Sequence, residues 1–172
     1  MIIDFADAEG PEWVVVNDGV MGGVSQSRVR RASEETAVFE GTLSLENNGG
    51  FASVRALVGT LDLSSEAGLE IRVRGDGRRY QLRLRTEDRF DGAAYRAEFQ
   101  PGEDWQTIRI PFDAFEPVFR GRILKDAPPL DTENIEQLGI MLADKRAGPF
   151  ALEIRWIGAY TGDPPDPERA DP

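Results

Sequence analysis

The amino-acid sequence predicts an all-β protein, a β-sandwich or jelly roll of many short antiparallel strands. Three features predict it. Apolar and polar residues alternate with a period of two in one segment after another, and the breaks between segments are filled by Gly, Asn and Asp. A third is the scarcity of helical patterning, which is confined to one short stretch after Asp131-Thr132.

The elements follow in order. Trp13-Val14-Val15-Val16 is an apolar run leading into Asn17-Asp18-Gly19-Val20-Met21-Gly22-Gly23-Val24-Ser25, whose glycines suit positive φ or a close approach of backbone to another strand. Phe39, Gly41, Leu43 and Leu45 alternate with Glu40, Thr42 and Ser44, and a turn is expected at Asn47-Asn48-Gly49-Gly50. Leu69, Ile71 and Val73 alternate with Glu70, Arg72 and Arg74. Tyr80, Leu82 and Leu84 alternate with Gln81, Arg83 and Arg85, and Gly75-Asp76-Gly77 between the two runs reads as a hairpin turn. Further strands are expected from Tyr95 to Phe99, Trp105 to Ile110, Gly139 to Ala143 and Phe150 to Ile157. The last presents Phe150, Leu152, Ile154 and Trp156 as one apolar face. The single helical turn would be capped by Asp131 or Thr132, with Ile135 and Leu138 pointing inward.

At 172 residues and 40% hydrophobic content the chain has the size and the material for one ordinary core. Residues 1–161 are expected to form a single β-sandwich domain. Residues 162–172, with four prolines and no hydrophobe larger than alanine, are expected to be a flexible Pro/acidic tail. Cysteine and histidine are both missing, which removes disulfides, thiolate sites and Ser-His-Asp or Cys-His catalysis. A formal net charge of −11 speaks against a nucleic-acid binder, whose affinity rests on neutralising phosphates. The acidic start of the chain lacks a signal-peptide pattern, and no apolar run reaches the ~20 residues of a membrane helix. A cytoplasmic chain without direct membrane insertion is the expectation.

The loop from Asn17 to Ser25 lacks the lysine of a P-loop and opens no amphipathic helix, so it is read as a strand crossing rather than a phosphate cradle. Asn17, Asp18, Asn47, Asn48 and Asp144 are oxygen donors without EF-hand spacing and read as turn chemistry, with no metal expected. If Ile71, Val73, Leu82 and Leu84 face the core, Arg72, Arg74, Arg83 and Arg85 share the other face. Like charges across strands repel. Either carboxylates such as Glu70, Glu87 and Glu98 thread between them, or an acidic partner does. A second basic point is Phe119-Arg120-Gly121-Arg122, where arginines beside aromatic anchors suit an interface. No carboxylate pair stands out for acid–base work, and no catalytic residue or cofactor is expected.

Four blocks, WVVVNDGVMGGVSQS, FEGTLSLENNGGFASVR, WQTIRIPFDAFEPVFRGR and LGIMLADKRAGPFALEIRWIGAY, are similar in content and order to the complex I intermediate-associated protein 30 family. The resemblance runs from Trp13 to Tyr160 and implies a galactose-binding-like jelly-roll β-sandwich. It also implies an assembly factor or chaperone that associates with intermediates of respiratory NADH:ubiquinone oxidoreductase; plant relatives act in photosystem biogenesis. The family pattern falls on Trp13, Asn17, Asp18, Gly19, Met21, Gly22, Gly23 and Ser25. It continues on Gly41, Asn48, Gly49, Gly50, Phe51, Ser53 and Arg55, then on Arg120, Gly121, Arg122, Asp144 and Lys145.

With Asn17–Ser25 laid against FASVR, Asp18 is expected to pair with Arg55 and Asn48 to tie the turn. The expected function is a non-catalytic protein-binding module whose partner is a subunit or intermediate of a respiratory complex. Its contacts would run through Arg72, Arg83, Arg85, Arg120 and Arg122. The alternative is a carbohydrate- or small-ligand-binding domain that stacks sugars on Tyr80, Tyr95 or Trp105.

Overall fold

A computed structural model describes residues 1–7, 10–17, 19, 23–86, 93–119 and 122–162, without the side chain of Asn48. Alternation of the kind noted above becomes strand wherever turn residues bound it, and the described residues contain thirteen strands. They are β1 (Ile3–Asp4), β2 (Trp13–Val15), β3 (Gln26–Arg31), β4 (Ala37–Leu43), β5 (Ala52–Leu61), β6 (Gly68–Gly75) and β7 (Tyr80–Arg85). The rest are β8 (Ala94–Phe99), β9 (Gln106–Pro111), β10 (Glu116–Phe119), β11 (Arg122–Ile123), β12 (Ile135–Leu142) and β13 (Gly148–Tyr160). Two antiparallel sheets result. One is six-stranded, in the order β3-β4-β13-β6-β9 with β1 added to β13; the other is seven-stranded, β11-β10-β8-β7-β12-β5-β2.

Inward residues of the two sheets meet in one apolar core. Phe39 and Phe150 come from the six-stranded sheet, and their rings lie 5.0 Å apart. Tyr80 of the seven-stranded sheet meets them edge-on at 6.3 and 6.4 Å and stacks on Phe99 at 6.0 Å. Leu82, Leu84, Leu138 and Leu142 fill the rest without measurable exposure. Burying a Leu or Phe side chain contributes about 1.5–3 kcal/mol, so this layer is the main stabilising term.

Three expectations are corrected by the packing. Gly75-Asp76-Gly77 is not a hairpin turn, because β6 and β7 belong to different sheets and the chain crosses between them there. Alternation sets which side chains point inward, but it does not say which sheet a strand joins. The Asp76 carboxylate fixes the crossover, accepting the Arg78 N–H at 3.1 Å, the Tyr80 hydroxyl at 3.1 Å and the Ala151 N–H at 2.9 Å.

The stretch after Thr132 is strand β12, not helix. Ile135 and Leu138 are both buried at a helix-like spacing because the register with β5 shifts between Ile135 and Gln137. Asp131 instead makes a local turn, its carboxylate accepting the Glu133 N–H at 3.1 Å. The apolar face of β13 also changes phase. A register shift between Ile154 and Trp156 turns Ile157 inward and leaves Trp156 half-buried outside the core. The expected tail falls almost wholly on residues 163–172, outside the described residues.

Candidate binding face

The two outward faces differ in how their charges are balanced. On the six-stranded sheet, basic and acidic residues interdigitate. Glu40 accepts Arg28 and Arg30, each at 2.7 Å; Glu153 accepts Arg74 at 2.7 Å; Glu70 accepts Arg109 at 3.0 Å. Arg74 also lies over the Trp105 ring and Arg109 over the Tyr160 ring, at 4.9 and 4.6 Å. Arg72 belongs to this paired face, where its Nη1 donates to the Thr107 hydroxyl at 3.2 Å. The expected four-arginine face is therefore split. Arg72 and Arg74 stand on one side of the molecule, Arg83 and Arg85 on the other.

The seven-stranded sheet carries Arg83 and Arg85 together with Arg55 and Arg96. Its inward residues on β5, β12 and β7 are Ala52, Val54 and Ala56, then Leu138, Ile140 and Leu142, then Tyr80, Leu82 and Leu84. Period-two alternation turns Arg55, Gly139, Arg83 and Arg85 outward. Strand register then lines up Arg55, Gly139, Arg83 and Arg96 as successive Cα partners across β5, β12, β7 and β8. Arg85 stands in the next row, opposite Gln137. A Cβ at Gly139 would sit 3.5 Å from the Arg55 Cγ and 3.1 Å from the Val54 carbonyl oxygen, so the glycine keeps a lane open beside the Arg55 stem. Ser53, Arg55, Arg83, Arg85, Gln137, Gly139 and Met141 line one shallow recess there.

Arg83 is the centre of this field. Its Nη1 donates to the Gln81 side-chain oxygen at 2.6 Å and leans on the Met141 sulfur at 3.5 Å. Among the described residues no carboxylate pairs with it. Burial, and then the charges of Arg85, Arg55 and Arg96, hold its guanidinium down at about 10. Burial and the Arg85 charge do the same to Arg55, also at about 10. Sequence reading singled out Arg83 and Arg85 but missed Arg96 and Gly139. Continuing the alternation of Tyr95, Ala97 and Phe99 through a β7–β8 hairpin would have placed Arg96 opposite Arg83.

Of the other expected residues, Arg122 is exposed at the β11 edge of the same sheet, opposite Phe119. Arg120 and Asp18 lie outside the described residues, so the expected Asp18–Arg55 pair does too. The Asn17 side chain ties several segments together, its Nδ2 donating to the Ser25 carbonyl at 3.4 Å. The Asn17 side-chain oxygen accepts the Ser53 N–H at 3.0 Å and the Ser27 hydroxyl at 2.7 Å. The Ser53 hydroxyl donates to the Val16 carbonyl. The Ser25 hydroxyl donates to the Ser44 carbonyl at 3.1 Å and accepts the Ser44 N–H at 2.9 Å. This tie fastens the end of β2 to β3 and β5.

Asp144 has a different partner, Arg78, which sequence reading passed over. The pair is bidentate at 2.8 and 2.7 Å, and Arg78 also donates to the Gly148, Pro149 and Arg146 carbonyls. Lys145 takes a left-handed φ of +63° in the turn so clamped. Tyr80 and Tyr95 are buried in the core, and the Tyr95 hydroxyl donates to the Pro128 carbonyl at 2.6 Å. Neither offers a ring to a sugar, and the Arg74 guanidinium lies over the ring of half-buried Trp105.

Comparison with known proteins settles the family. The model of complex I intermediate-associated protein 30 matches residues 3–154. The chain belongs to that family. The mouse mitochondrial complex I intermediate-associated protein 30 is 30% identical over 171 residues, covering 87% of this chain and 52% of its own length. The Drosophila melanogaster mitochondrial protein of the same name is 27% identical, covering 86% and 57%. The chain thus spans about half the length of these two relatives.

The family 11 carbohydrate-binding module of a cellulosomal cellulase of Clostridium thermocellum aligns with a TM-score of 0.70 at 18% identity, covering 94% of each chain. That likeness gives the complex I intermediate-associated protein 30 domain its fold, a galactose-binding-like jelly roll. The expected cytoplasmic location is overturned. The relatives' names point to a mitochondrial setting, which the start of the sequence had not signalled. Among the described residues no helix is long and apolar enough to cross a membrane.

Proposed function

We propose that this chain is a non-catalytic binding module that holds a protein partner during assembly of a respiratory complex of the complex I type, and that it does so with the arginine face of the seven-stranded sheet. The observation that carries this reading is the contrast between the two faces. One face neutralises its own arginines with Glu40, Glu153 and Glu70. The other keeps Arg83 half-buried among like charges, with an amide and a thioether as its neighbours.

Removing a cation from water costs several kcal/mol unless an opposite charge compensates. Such an arrangement suits a surface completed by a partner. Family membership supports this class of partner, since the relatives are named for association with complex I intermediates. Arg122, exposed at the edge of the same sheet, extends the contact. Arg72 is withdrawn from the face because it lies on the opposite sheet.

The test is capture from detergent-solubilised respiratory membranes of the host. Tagged wild type is run beside Arg83→Glu/Arg96→Glu, with bound proteins identified by mass spectrometry. Enrichment of complex I subunits by wild type, lost in a variant with an unchanged melting curve, supports the reading. Equal capture by both chains, or capture of no such subunit, overturns it. The sugar-binding alternative is weakened because Tyr80 and Tyr95 are buried and Arg74 lies over the Trp105 ring.

A further inference from the structure

We infer that the outer edge of β9 takes an added strand from a partner polypeptide, an extended segment that alternates apolar residues with lysine or arginine. This surface is separate from the arginine face. β9 is the last strand of the six-stranded sheet, and among the described residues β6 is the strand it pairs with. In the other sheet β10 pairs with residues 94–96 of β8, so among the described residues 97–99 have β7 as their strand neighbour. The two open stretches wall one cleft of about 450 Å³.

Main chain, rather than one face of a strand, borders this cleft. Side chains alternate along a strand, yet residues 97–100 and 108–111 line it without a break. Phe112 donates its N–H to the Ala67 carbonyl at 3.0 Å, on the β6 side. Main-chain groups of an antiparallel strand alternate between its two sides. Thr107, five places before Phe112, therefore points its N–H and C=O at the outer edge. Pro111 has the same phase, and a proline fits there because its nitrogen faces outward.

A strand edge of this kind is a template for one more strand. Ala97, Phe99 and half-buried Ile108 give the added strand an apolar floor. The edge strand at the far side of the same sheet, β3, guards itself with Arg28, Arg30 and Arg31. Around β9 the charge has the opposite sign. Exposed Glu103 and Asp104 precede the strand, exposed Asp113 follows it, and exposed Glu98 stands in the cleft wall. With a net charge of −11 behind them, these carboxylates select a basic segment.

The experiment uses the full chain and the capped peptide KVKVKVK, with calorimetry for affinity and NMR amide exchange for the site. At about a hundredfold excess over Kd, exchange of the Thr107 amide is expected to slow by about a hundredfold. Thr107→Pro removes the outward donor, and Ala114→Arg sets a cation at the cleft rim. Each is expected to weaken binding about tenfold or more. Should Thr107→Pro fail to fold, Ala114→Arg carries the test, because Ala114 is exposed. Arg83→Met on the arginine face leaves binding unchanged.

No binding of KVKVKVK overturns the inference. So does equal binding of the scrambled KKVVVKK, of KVKPKVK, whose proline breaks the ladder, or of the acidic EVEVEVE. Unchanged exchange at Thr107, undiminished binding by Ala114→Arg, or binding lost in Arg83→Met also overturns it, by placing the peptide elsewhere. Failure of the capture experiment sinks only the assembly role, because this probe is a peptide and its site lies on another surface.

Discussion

Arg78 and Asp144 show what a buried charge pair does when it is complete. Both side chains are almost fully buried, at 8% and 7% exposure, and the guanidinium is shared between a carboxylate and the carbonyls of Arg146, Gly148 and Pro149. Arg78→Met leaves the carboxylate uncompensated and is expected to cost about 3–5 kcal/mol, measured by chemical denaturation. Burial on its own would raise the Asp144 carboxyl. The Arg78 fork and the Arg146 N–H outweigh it and hold the group below its usual value. Its stabilising contribution is therefore complete above the unfolded value near pH 4 and is lost as pH falls through the lower folded value. Asp144→Asn is expected to start less stable than wild type and to lose less between about pH 5 and pH 2. At this scale the sequence disclosed the acid and hid its partner, because nothing in the spacing of Arg78 and Asp144 links them before the fold does.

Strands were largely legible as elements, and their exceptions have a physical cause. Register shifts in β12 and β13 move an inward residue by one place, so Ile135 imitates a helical contact and Trp156 loses its place to Ile157. A bulge depends on the partner strand, and one strand's sequence does not carry it. The glycine of β4 is a clearer case. A Cβ at Gly41 would lie 2.0 Å from the Gln26 carbonyl oxygen and 2.7 Å from the Ser27 Cα, both backbone atoms of β3. Backbone cannot step aside as a side-chain tip can. Gly41→Ala is expected to peel β3 from β4, seen as faster hydrogen exchange across Gln26–Arg31 and a destabilisation of about 2 kcal/mol or more.

Across the whole molecule, the two faces differ in how Arg83 and the arginines of the six-stranded sheet are partnered. The exposed pairs of the six-stranded sheet contribute little each, and Arg74→Ala is expected to change stability by no more than about 1 kcal/mol. On the opposite face Arg83 is held among like charges. With no carboxylate beside Arg83 among the described residues, Arg83→Met is expected to leave Tm unchanged or to raise it by a few degrees in differential scanning calorimetry. A clear fall in Tm would mean that the guanidinium is structural and the face is not held ready for a partner.

Alternation, turn residues and the missing histidine and cysteine determined by themselves that this is a β-sandwich without His- or Cys-based chemistry, since side-chain direction along a strand is a local property. The four quoted blocks likewise determined the family. Which arginines stand together was decided only by the tertiary structure. Arg72 and Arg83 alternate identically in sequence, yet the crossover at Gly75-Asp76-Gly77 sends them to opposite faces, and register alone brings Arg55, Arg83 and Arg96 into one row. The physical reason is that a strand's inward and outward sides are fixed by its own pleat, whereas its neighbours are fixed by every other strand competing for the same core.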